Sequence, residues 1–221
     1  MKMLVVFKKS PRLRFIGHLD LMRTMQRALR RSDLPVRYSQ GFNPHMQLNF
    51  ASPLSVGISG EREIMEIPIE GEMSAEKFKQ ILSDALPLDL PCISVRCVED
   101  THPAPMASCK AAEYRCVFEQ PVNGLSEKMD AFLAQNTILA VKHTKSGEKE
   151  CDIRPMIRRV SVLSDSELTA VLDLCETSTC KPELMLGAFA EYTGSSLPPV
   201  NMVRAQMYGE AGSELVPLES L

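Results

Sequence analysis

Short β-branched apolar runs alternate with longer segments of three-to-four periodicity, in the same order twice, and this pattern limits the fold more than any other feature. In the first half, Leu4–Phe7 reads as a strand. Gly17 to Arg31 reads as a helix closed by Pro35, with Met22, Met25 and Leu29 on one stripe and Leu19 beside them. Val36–Ser39, Gln47–Phe50 (extending towards Gly57) and Glu63–Ile69 read as strands, and Gly57–Ile58–Ser59–Gly60 as a turn too short to cradle a pyrophosphate. Ser74 to Leu86 predicts a helix with Ser74 as N-cap, Lys77 at N3 and Phe78, Ile81, Leu82 and Ala85 buried. Ile93–Val98 closes the set as a strand.

The second half repeats the theme. Tyr114–Glu119, Ile138–His143, Val160–Leu163, Leu168–Leu174 and Met202–Tyr208 read as strands. Leu125–Gln135 and Pro182–Tyr192 read as helices, the latter with proline at N1. Ser146–Gly147 reads as a turn and Asp152–Ile157 as a helical turn. The expectation is an α+β protein of two tandem ferredoxin-like (βαββαβ) units packed together. They would span residues 1–99 and 112–210, with 100–111 as linker and 211–221 as tail. No residue-level repeat joins the halves, so the duplication rests on element order, and one larger α+β domain is the alternative.

A chain of 221 residues with 44% hydrophobic and 24% charged side chains has the make-up of an ordinary soluble protein. No apolar run approaches the roughly 18–20 residues of a membrane span. The apolar run at the N-terminus is too short for a signal-peptide core, so a cytoplasmic location without membrane association is expected. Seven cysteines at irregular spacing, with no Cys-x-x-Cys pair, read as buried thiols in a reducing compartment. A zinc ribbon, a thioredoxin-type site and a radical-SAM cluster are disfavoured, and no metal or cofactor is expected.

Charge is distributed unevenly. Residues 1–45 hold ten basic side chains and two acidic ones, a net of +8, while the other 176 residues hold 15 basic and 26 acidic, a net of −11. That polarity points to a localised anionic partner. Arg23, Arg27, Arg30 and Arg31 share a stripe of the first helix, and guanidinium groups so spaced suit phosphate oxygens. Lys8, Lys9, Arg12 and Arg14 precede the helix and extend the patch, and Arg37 follows it. Phe15, Tyr38 and Phe42 interleave with the charge, where they either stack on unpaired bases or belong to the core. The competing reading of the arginines is a solvated helix face.

His18 and Asp20 stand at the helix start, and with His45 they have the residue types to share a proton or a metal. The plainer reading is that Asp20 answers the helix dipole and His18 satisfies local backbone groups. Gly41, Phe42, Asn43, Pro44 and His45 form a turn in which Pro44 holds Asn43 extended.

The runs Arg14–Arg23, Arg27–Arg31, Leu34–Val36, Tyr38–His45, Phe50–Gly57 and Asp152–Ile157 resemble the bacterial radical-SAM-linked family, and the likeness covers most of the chain. That family is a domain of unknown function, found as separate chains or fused to the C-terminus of radical-SAM proteins. The resemblance implies a radical-SAM partner that carries the chemistry, with this chain as the accessory half. It supplies no catalytic residues. The family commonly continues Asn-Pro-His with proline, whereas this chain has Met46. Tandem ferredoxin-like units also resemble, at fold level, RNA-processing proteins such as CRISPR repeat endoribonucleases.

The resulting expectation is a non-catalytic module that binds RNA, a ribosomal component or another substrate. Its surface would comprise Arg14, His18, Asp20, Arg23, Arg27, Arg30, Arg31 and Arg37 with the loop Gly41, Phe42, Asn43 and His45. The alternatives are an enzyme using His18, Asp20 and His45, and a subunit that docks only protein.

Overall fold

The computed structural model describes residues 1–144 and 147–221. It is an α+β structure of two compact units. The first unit comprises Met1–Cys109 with Gln206–Leu221, and the second comprises Lys110–Ala205.

In the first unit, β1 (Lys2–Lys9) is central, with Met3 to Phe7 all buried. It pairs antiparallel with β3 (Ile58–Pro68) on one edge and β4 (Cys92–Val98) on the other. The short β2 (Asn49–Phe50) adds to the outer edge of β3, giving the order β4–β1–β3–β2. Helices α1 (His18–Arg31) and α2 (Ala75–Ala85) close the core. Leu21, Met25, Ala28 and Leu29 of α1 and Phe78 and Leu82 of α2 pack with Met3, Val5 and Phe7. Ser74 caps α2, its hydroxyl accepting the Lys77 N–H at 3.3 Å.

Several expectations are corrected here. The turn is at Gly57, not across Gly57–Gly60, and β3 begins at Ile58 because that side chain is buried. Gly60 stays within the strand at a register shift, where a Cβ would overlap the Glu63 side chain. Val36–Ser39 is no strand; Val36 and Tyr38 make only isolated bridges, to Ile69 and Met46. The helix ends at Arg31, four residues before Pro35, and Asp33 takes a left-handed φ of 51°. Within the expected linker, Pro105–Ser108 forms the single turn α3. The expected tail holds β11 (Glu214–Pro217), paired with β10 (Val200–Ala211), and buries Leu218. Arg62 and Gln206 both bind Glu219 at 2.7 Å, so the apolar and acidic groups of this segment tie it to the first unit.

The second unit is built from β5 (Ala111–Phe118), α4 (Leu125–Leu133), β8 (Ile157–Ser164), β9 (Glu167–Asp173), α5 (Pro182–Thr193) and the start of β10. Its strand order is β10–β5–β9–β8, with β5–β9 and β8–β9 antiparallel. Phe132 of α4 meets Phe189 of α5 edge-on at 5.4 Å. A separate hairpin of β6 (Leu139–Thr144) and β7 (Gly147–Asp152) lies between α4 and β8. Sequence periodicity did not announce β7, whose Gly-Glu-Lys-Glu run is exposed and polar. Of the turn expected at Ser146–Gly147, Ser146 lies outside the described residues.

Asp152 locks the base of this hairpin: one carboxylate oxygen accepts the N–H groups of Ile138 and Arg154, both at 2.9 Å. Asp152→Ala is expected to cost about 2 kcal/mol, because both donors lose a charged acceptor. A denaturant midpoint unchanged from wild type would refute this role.

No disulfide joins the seven cysteines. Burial pushes the Cys116 and Cys180 thiols up to about 12, while Cys97 is exposed. Brief alkylation of the native protein near pH 8 is therefore expected to modify Cys97 and spare Cys116 and Cys180. Mass spectrometry of peptides reads the order directly, and early labelling of Cys180 would contradict the burial.

Candidate nucleic-acid interface

The surface begins with the segment that delivers the chain into α1. Lys9 was expected to extend the basic patch, but it is 1% exposed. Its ammonium points inward and donates to the carbonyls of Ile16 at 2.9 Å and Ile58 at 3.5 Å. The Gly57 N–H donates to the Arg14 carbonyl at 2.7 Å, and Pro11–Leu13 forms a 3₁₀ turn. These bonds hold the stretch from Ser10 to Gly17 on the end of the sheet. Gly17 is the extended N-cap of α1, and its carbonyl accepts the Leu21 N–H at 3.0 Å.

The pinning turns Phe15 outward to 69% exposure, with the Arg14 guanidinium 4.7 Å from its ring centre. Leu19, expected beside the buried stripe, is instead 59% exposed; Leu21 takes the inward position. Val56 is also exposed, next to the glycine that bonds Arg14. Leu19 and Val56 were missed in the sequence because nothing there distinguishes an outward Leu or Val from a core one.

Along α1, Arg23, Arg27, Arg30 and Arg31 are all exposed, opposite the buried stripe. Two of them are partly engaged. Arg23 pairs with Asp20 at 3.0 Å, and Arg31 donates to the Ala85 carbonyl at the end of α2 at 2.8 Å. The guanidinium groups of Arg27 and Arg30 have no partner among the described residues. They stand three residues apart, one turn of helix, about 4.5 Å along the axis. Arg37 lies apart from this array. It donates to the Ile69 carbonyl at 3.1 Å and pairs with Asp100 at 3.3 Å. The Met1 ammonium and Arg37, both bonded to Asp100, hold that carboxyl below its usual range.

His18, Asp20 and His45 have separate engagements. The His18 ring stands edge-on to Phe50, centroids 5.2 Å apart, and the Asp20 carboxylate is taken by Arg23. Among the described residues, no group of three His, Cys, Asp or Glu side chains is placed to hold a metal.

The 39–45 loop is closed at its base. The Ser39 N–H donates to the His45 carbonyl, and the His45 N–H to the Ser39 hydroxyl, each at 2.8 Å. Buried Met46 and Leu48 anchor the chain on the far side of the loop. Gly41 adopts φ of 124°, which an L side chain rarely takes, and Phe42, Asn43 and His45 project into solvent. Tyr38 is 39% exposed and Phe42 fully so, which settles that neither ring is a core residue.

The first unit thus defines a class of protein: an α+β chain with an arginine-faced helix, an outward aromatic at its start and an exposed aromatic loop. The family described as "Uncharacterized protein conserved in bacteria (DUF2344)" matches residues 2–182, and this chain belongs to that family. No curated protein matches the chain. No helix is long and apolar enough to cross a membrane among the described residues.

Proposed function

We propose that this chain is a non-catalytic accessory module of a radical-SAM system in the bacterial cytoplasm, and that it presents RNA, either free or as a ribosomal component. Its two units are ferredoxin-like: each has the order fourth–first–third–second strand, β4–β1–β3–β2 and β10–β5–β9–β8. The radical-SAM link rests on the N-terminal motif runs, and the partner protein carries the radical chemistry.

The observation that carries the RNA reading is the exposed pair Arg27 and Arg30, without protein partners among the described residues, between Arg23 and Arg31. Protein carboxylates occupy three of the other N-terminal cations, Lys2 by Glu66 at 3.2 Å, Arg23 by Asp20 and Arg37 by Asp100, and backbone carbonyls take Lys9 and Arg31. The two unpaired guanidinium groups on one face are the donors that phosphate oxygens would take. Exposed Phe15 and Phe42 supply flat faces for unpaired bases.

The test is affinity for a fluorescent single-stranded RNA over a salt series. Binding should weaken linearly in log–log form, with a slope of about −0.7 per phosphate contacted. Salt-independent binding, or none, defeats the RNA reading. A pull-down with the radical-SAM protein after RNase treatment separates it from docking to protein alone: a complex that depends on the arginine face yet survives RNase makes that face a protein-docking surface.

A further inference from the structure

The β6–β7 hairpin of the second unit has one unused edge. In an antiparallel pair, residues alternate between those that exchange backbone hydrogen bonds and those whose N–H and C=O point away. The Ile153 N–H donates to the Ile138 carbonyl at 2.8 Å, and the register sets Ala140 opposite Cys151 and Lys142 opposite Lys149. The bonded residues of β6 are therefore Ala140 and Lys142. Leu139 and Val141 turn their backbone N–H and C=O away from β7. Among the described residues, β6 has no other strand neighbour and these groups have no partner.

That edge borders a cleft of about 610 Å³. Three successive residues of β6 line it: Ala140, Val141 and Lys142. A strand face would offer only every second residue, so the cleft meets the strand at its edge. The opposite wall is one face of α5, formed by Glu183, Leu184, Gly187, Ala188 and Glu191. A Cβ on Gly187 would meet nothing within 4 Å, so the middle of the cleft is open. Val141, which lines the cleft, exposes 45% of its surface, and Leu139, two residues before it on the strand, 52%.

Charge is graded along the cleft. Lys142 is held in place by the Thr179 carbonyl at 2.7 Å, and Lys181 stands at the N-cap of α5. With Glu183 in the same turn, this end carries a net of +1. Glu191 lies eight residues further along α5, about 12 Å away, which an extended chain covers in three or four residues.

We propose that this cleft is a peptide-binding groove, in which an extended segment of a partner protein adds as a strand to the open edge of β6. The segment places an acidic side chain at Lys142 and Lys181 and a basic one, three or four residues away, at Glu191. Main-chain bonds to Leu139 and Val141 supply affinity, and the α5 wall reads the side chains.

The test begins with panning a phage-displayed random peptide library on the full chain, followed by fluorescence polarisation with the enriched peptide. The expected peptides carry acidic and basic residues three or four positions apart. Val141→Pro removes an edge N–H that β7 does not use, and Gly187→Leu fills the open centre; each should weaken binding at least tenfold with the thermal midpoint unchanged. N-methylation of alternate peptide positions should abolish binding, and of the intervening positions should not. Several outcomes would overturn the proposal: no enrichment above the Gly187→Leu protein, indifference to both variants, or no alternation in the N-methyl series. Binding of a free Glu-Lys dipeptide as strong as that of the whole peptide would make the cleft a small-molecule site and also overturn it.

Discussion

Arg27→Ala/Arg30→Ala is expected to lower affinity for single-stranded RNA by roughly 10- to 100-fold at low salt, since each charged hydrogen bond contributes about 1.5–3 kcal/mol before losses to screening. The salt slope should become shallower by about 1.4, the share of two phosphates. Both side chains are exposed without a protein partner among the described residues, so stability should stay within about 0.5 kcal/mol of wild type. Lys128→Ala/Lys149→Ala makes the same change in net charge on exposed positions of the second unit. If that control weakens RNA binding equally, the effect is one of overall charge and the arginine face has no special role. Arg37→Ala should matter less for RNA, because Asp100 and the Ile69 carbonyl already occupy that guanidinium.

Lys9→Met is the second large effect, and it works through the fold. The substitution keeps most of the buried stem but removes the ammonium that serves the Ile16 and Ile58 carbonyls. Two acceptors then lose a charged donor inside the protein, an expected loss of about 3 kcal/mol. For a chain of this size that corresponds to a fall of about 6–12 °C in Tm, measurable by calorimetry. The Ile16 bond also sets where α1 starts. RNA affinity should therefore fall with Lys9→Met although Lys9 is buried. A variant with unchanged Tm would mean that other groups hold the Ser10–Gly17 segment.

Much of the architecture was legible in the residues. The 3.6-residue stripes of α1 and α2, the Ser74 cap and the proline start of α5 are local signals, and each reports a local preference that tertiary packing did not override. Where a strand is not legible in the sequence, the local signal is weak. β7 is polar and exposed, and β11 offers only Leu215 and Val216 between charges and turns, so neither shows a two-residue hydrophobic alternation. The break inside β10, where the chain leaves the second unit for the first, has no composition shift to mark it.

The basic surface of the first unit divides along the same line. Sequence alone determined that the positive charge is concentrated in the first 45 residues, that four arginines share a helix face and that a Gly-Phe-Asn-Pro-His loop comes after them, because helical period and turn chemistry are set by neighbouring residues. Only the tertiary structure decided which of those charges remain available. Lys9 turned inward to carbonyls, Arg37 went to Asp100 and Arg31 to the end of α2, while Arg27 and Arg30 were left facing solvent. The partner of a flexible cation is chosen by groups brought near it in space, from as far as 63 residues along the chain for Arg37 and Asp100. No spacing along the sequence carries that information.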